Sequence, residues 1–129
     1  MEKHFYKKEV HIPLYRGTLL IFLTNDSSEL QKHIPDFKDE EPYGHTLAVN
    51  YNGRAAYAVI FNFLYSYRKI THGTITHESI HAANFIASDR GIVADFNNDE
   101  PIAYLADWIT DEIYKFIEES DFDVKNQMQ

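Results

Sequence analysis

The chain has 129 residues, 44% of them hydrophobic and 15% aromatic, and no cysteine; this gives enough apolar surface for one core and excludes a disulfide scaffold, a thiolate metal site and a disordered polymer. Its net charge of −8 is unevenly placed: residues 1–88 hold nine acids and nine Lys/Arg, whereas residues 89–123 hold eleven acids against Arg90 and Lys115. An acidic C-terminal quarter disfavours binding to a phosphate backbone, and no stretch is apolar and long enough to cross a bilayer.

Residues 1–16 carry four Lys/Arg and no apolar run. They are not read as a secretory leader, so a cytoplasmic protein is expected, with neither nucleic acid nor membrane as partner. Residues 4–12 alternate as a half-exposed strand, with Tyr6, Val10 and Ile12 on one side and Pro13 at its end. Arg16 to Thr24 contains five consecutive large apolar residues and predicts a strand with no solvent face. Ser27 to Ile34 suits a short helix, capped by Asp26 or Ser27 and stopped by Pro35. A polar loop with two prolines follows over residues 35–44.

The hairpin signal is sharper. His45, Leu47, Val49 and Tyr51 alternate with Thr46, Ala48 and Asn50, and Asn52-Gly53 is a favoured type I′ turn. Arg54 to Tyr65 then predicts a long strand with Tyr57, Val59, Phe61, Phe63 and Tyr65 on one face. Thr74 is placed to cap a helix running to about Arg90, with Gly91 as its left-handed stop. Asn97-Asn98-Asp99-Glu100-Pro101 opens a second helix that runs to about Glu119, since acids and an early proline both suit a first turn. One domain over residues 1–119 is expected, with a frayed tail over 120–129. The fold class is α+β: a small, mostly antiparallel sheet with a hairpin, packed against the two helices.

The first of those helices carries His77-Glu78-Ser79-Ile80-His81, the pattern H-E-x-x-H. Two histidines four apart share one helix face and can bind one Zn²⁺, while the glutamate is rotated toward an open metal position as a general base. His77, His81, Asn84 and Ser88 form a narrow polar stripe on a helix otherwise rich in Ile, Phe and Ala. That composition predicts a helix buried nearly all round, in which the two imidazoles need a partner such as a metal. With no cysteine, a third ligand must be another histidine or a carboxylate. Glu100, at the start of the next helix, is the first choice, although it falls opposite that helix's apolar stripe of Ile102, Leu105, Ile109, Ile113 and Phe116. Asp99 and Asp95 stand as alternatives. Asp107 is a candidate to orient a histidine ring, Tyr104 to face a reacting oxygen, and His72 to act as a further ligand.

Taken together, His77-Glu78-Ser79-Ile80-His81 and Asn98-Asp99-Glu100-Pro101-Ile102-Ala103-Tyr104-Leu105 resemble the zincin metallopeptidases with a glutamate third ligand. Within them they are similar to small zincin-like proteins of phages and prophages. The resemblance implies His77, His81 and Glu100 as zinc ligands and Glu78 as general base in hydrolysis of a peptide or amide bond. In larger zincins an edge strand holds an extended peptide, and here residues 45–51 or 54–65 are the candidates for that role. With only a tail after residue 119, the far wall of a cleft is left to a shallow surface or to an oligomer. The competing expectation is a zincin-like binding module whose zinc is structural or holds a ligand.

Overall fold

The computed structural model describes residues 3–38, 44–63 and 70–120. The expected end of the long strand at Tyr65, part of the proline-containing loop (39–43) and the tail (121–129) lie outside the described residues. The elements, in order, are β1 (Phe5–His11), β2 (Thr18–Thr24), α1 (Ser27–His33), β3 (His45–Tyr51), β4 (Arg54–Asn62), α2 (His72–Asp89) and α3 (Glu100–Glu119). They form the expected α+β fold. The sheet order is β1-β2-β4-β3.

Pairings β1–β2 and β3–β4 are antiparallel, whereas β2 and β4 run parallel, with Leu19 opposite Tyr57 and Leu23 opposite Phe61. The sheet is therefore mixed, with the parallel pair at its centre. A parallel neighbour cannot be reached by a tight turn. Here α1 and β3 intervene between β2 and β4.

Both sheet faces are covered, which explains why β2 is apolar from Leu19 to Leu23. Leu19, Ile21 and Leu23 join Tyr57, Val59 and Phe61 in a core beneath α2 and α3. Leu20 and Phe22 join Ala56, Ala58 and Ile60 in a second core under Leu30, Ile34 and Phe37. Tyr6, Val10 and Ile12 side with the first core, as their alternation requires. Asp26 caps α1 by accepting from the Glu29 N–H at 3.2 Å, and Asn52 and Gly53 both have positive φ, as a type I′ turn demands.

α2 begins a turn earlier than expected. Thr71, not Thr74, is its N-cap, accepting from the Thr74 N–H at 3.2 Å. Either threonine has the chemistry to cap, so composition alone could not choose between them. At the other end Gly91 is left-handed as expected, with φ 72°. That end is tied down by side chains. The Tyr57 hydroxyl donates to Asp89 Oδ2 at 2.6 Å. Arg90 donates through Nε to the Tyr15 carbonyl and through Nη2 to the Arg16 carbonyl at 3.0 Å. Burial of Tyr57, reinforced by the Asp89 carboxylate, pushes its phenol up to about 12.

α3 buries Leu105, Ile109, Ile113 and Phe116 and turns Glu100, Tyr104, Asp107 and Asp111 outward. The stripe is the expected one. Among the described residues no helix is long and apolar enough to cross a membrane.

Candidate metal centre

α2 is not buried all round. Ile75, Ser79, Ala82, Ala83, Ile86 and Ala87 face the core, while His77, His81, Asn84 and Ser88 are exposed together with Ile80 and Phe85. The expectation of buried histidines is thus corrected. The reason lies in Ile80 and Phe85: both count as apolar in sequence, yet they flank the polar stripe on the open side of the helix, 46% and 38% exposed. Glu78 is the member of the motif that is buried, at 6% exposure.

The two imidazoles converge. Their Nε2 atoms are 3.1 Å apart, with ring centroids 4.6 Å apart and ring planes at 78°. Two nitrogens at that distance must share either one proton or one cation, since two bare lone pairs would repel. Tetrahedral zinc, bound at about 2.0–2.1 Å from each nitrogen, separates such donors by roughly 3.3 Å. The observed separation of 3.1 Å is close to that spacing.

Glu78 sits against the same pair. Its Oε2 is 3.9 Å from His77 Nε2. Its Oε1 accepts a hydrogen bond of 2.7 Å from the Thr46 hydroxyl, which also lies 3.3 Å from the Glu78 carbonyl oxygen. The two oxygens are thereby distinguished: one is fixed by β3 and the other lies toward His77. Gly44, just before β3, closes over the carboxylate. A Cβ there would stand 3.0 Å from both Cγ and Oε2 of Glu78 and 3.1 Å from Thr74 Cγ2.

These groups line a cavity of about 300 Å³. α2 contributes His77, Glu78, His81 and Phe85, and the start of β3 contributes His45 and Thr46 after Gly44. Sequence reading missed Thr46 and Gly44. The only local signal for Thr46 is that it breaks from the His45-Leu47-Val49-Tyr51 set and so faces the opposite side of β3, where α2 lies.

The other candidates stand elsewhere. Glu100 is exposed on the outer side of α3, in the phase its sequence position implies. Asp95 accepts from the Asn97 N–H at 2.8 Å within the α2–α3 turn, and Asp99 is the backbone cap of α3. Among the described residues no group of three His, Asp or Glu side chains comes together to hold a metal. Tyr104 is 69% exposed on the outer face of α3, which it shares with Asp107. His72 lies inside the first turn of α2, where its Nδ1 pairs with the Tyr114 hydroxyl and its ring stacks on Tyr114. The structure thus unites His77, Glu78 and His81 and adds Thr46. Comparison with family models, with curated proteins and with solved structures gave no match.

Proposed function

We propose that this chain is a zinc-dependent hydrolase acting on a peptide or amide carbonyl, with His77 and His81 as ligands and Glu78 as general base. The observation that carries the reading is the convergence of the two Nε2 atoms at 3.1 Å beside a buried carboxylate. Zinc held there would supply a Lewis acid that polarises a carbonyl and acidifies water. Glu78 accepts the proton of the attacking water at Oε2 and returns it to the leaving nitrogen. Its Oε1, occupied by Thr46, takes no part in that transfer. Glu100 is kept as the proposed third ligand on the strength of the motif resemblance.

β3 supports a peptide substrate. Among the described residues it pairs only with β4, and its first two residues line the cavity. An extended peptide laid along that edge would run past Glu78 and the histidines.

One observation favours a second reading, a zinc-holding binding module without catalysis: His77 and His81 are exposed, and among the described residues the cavity beside them is lined only by α2 and residues 44–46. Glu78→Gln separates the two. The hydrolase reading expects zinc retained and hydrolysis lost by at least about 10²-fold. A binding module expects ligand binding unchanged in the variant and no zinc-dependent hydrolysis in the parent.

A further inference from the structure

The geometry points to Thr46 as the positioning residue for Glu78, setting which carboxylate oxygen faces His77; this rests on the hydrolase reading above. The Thr46 hydroxyl has one proton to give. At 2.7 Å from Glu78 Oε1 and 3.3 Å from the Glu78 carbonyl, it gives that proton to the carboxylate. Both residues are buried, at 9% and 6% exposure, and the low local dielectric strengthens the bond. The bond also crosses between elements, from β3 to α2. It therefore fixes the carboxylate relative to the strand along which a peptide would lie as well as to its own helix.

Gly44 completes the clamp. With no Cβ, it lets the backbone leading into β3 approach within contact of Glu78 Cγ and Oε2. Thr46 holds Oε1 from one side and the Gly44 backbone limits the carboxylate from the other. His77 Nε2 lies 3.9 Å from Oε2. A long, flexible glutamate is thereby confined to one rotamer before any substrate arrives, which is the condition for efficient proton transfer. Thr46 touches neither histidine by any bond in the structure, so its removal is expected to leave metal affinity intact.

The test uses the full chain loaded with zinc, as parent, Thr46→Val, Thr46→Ser and Gly44→Ala. Valine keeps the buried volume and removes only the donor. Crystal structures report the Glu78 rotamer, zinc affinity is measured by chelator competition, and turnover is followed on a mixed fluorogenic peptide library. Thr46→Val is expected to leave Glu78 in more than one rotamer and to lower kcat roughly ten- to a hundredfold, with KM and zinc affinity unchanged. Thr46→Ser restores rotamer and kcat. Gly44→Ala displaces Glu78 with the hydroxyl still present and lowers kcat as well. A single unchanged Glu78 rotamer in Thr46→Val, with kcat unaltered, would overturn the assignment while leaving the hydrolase reading intact. If the library is not cleaved by the parent, the rotamer alone decides. A parent chain that takes up no zinc overturns the hydrolase reading and this assignment with it.

Discussion

His77 and His81 are held at ligand spacing by helix geometry, and Glu78 by a hydroxyl from a strand 32 residues earlier. At this scale the two kinds of residue predict different failures. His77→Ala or His81→Ala is expected to abolish stable zinc binding, because one imidazole gives up the bidentate arrangement. Glu78→Gln is expected to keep zinc and lose hydrolysis. Glu100→Gln is informative in a different way: as a ligand it would lower zinc affinity by an order of magnitude or more, whereas as an exposed first-turn acid it would cost only a few tenths of a kcal/mol in stability. Chelator competition on the purified variant distinguishes the two outcomes. The histidine pair and the glutamate were legible in sequence because helical spacing is a local property. Thr46 was not, since its partner is fixed by how α2 lies across β3. Nor was the exposure of the histidines, because whether Ile80 and Phe85 are covered depends on where neighbouring elements stop, and here both stay exposed.

At the scale of elements, α2 is the part that must not move. Its C-terminus is fastened to β4 by the Tyr57–Asp89 bond and to the β1–β2 turn by Arg90. Tyr57→Phe is expected to cost about 1 kcal/mol, read as a lower urea midpoint with an unchanged slope. The same bond gives a pH dependence. The Tyr57 phenol is raised from 10.0 to about 12, so its contribution is fully present below pH 10 and is lost as pH rises toward 12; Tyr57→Phe should flatten that part of the stability profile. The hairpin offers a contrast between two glycines. Gly53 has φ 79° and nothing within 4 Å of an added Cβ, so Gly53→Ala is expected to cost about 1 kcal/mol through backbone strain alone. Gly44→Ala acts through contact with Glu78 instead. Element identity was largely readable: the unbroken apolar run of β2, the Asn52-Gly53 turn, the Gly91 stop and the stripe of α3 each follow from short-range pattern. The parallel β2–β4 pairing was not, because the chain passes through α1 and β3 before β4 returns beside β2, and no local signal records that insertion.

At the scale of the whole molecule, the sheet divides two cores with unequal tasks. The core under α1 completes the fold. The one under α2 and α3 carries the helix of His77 and His81 and brings it over the start of β3, so stability and the proposed site are coupled. If zinc binds the folded arrangement and not the unfolded chain, as proposed, it should stabilise the protein by about 2.7 kcal/mol at a hundredfold excess over its Kd, roughly a 10 °C rise in Tm for a domain of this size. The rise should be absent in His77→Ala. The central claim is that His77 and His81 form a zinc site, and its most direct measurement is metal stoichiometry and affinity by chelator competition on the parent chain and the two histidine variants. One zinc per parent chain, with affinity falling at least about a hundredfold in each variant, is the result the account predicts. Substoichiometric zinc in the parent, or unchanged zinc affinity after either histidine is replaced, would contradict it.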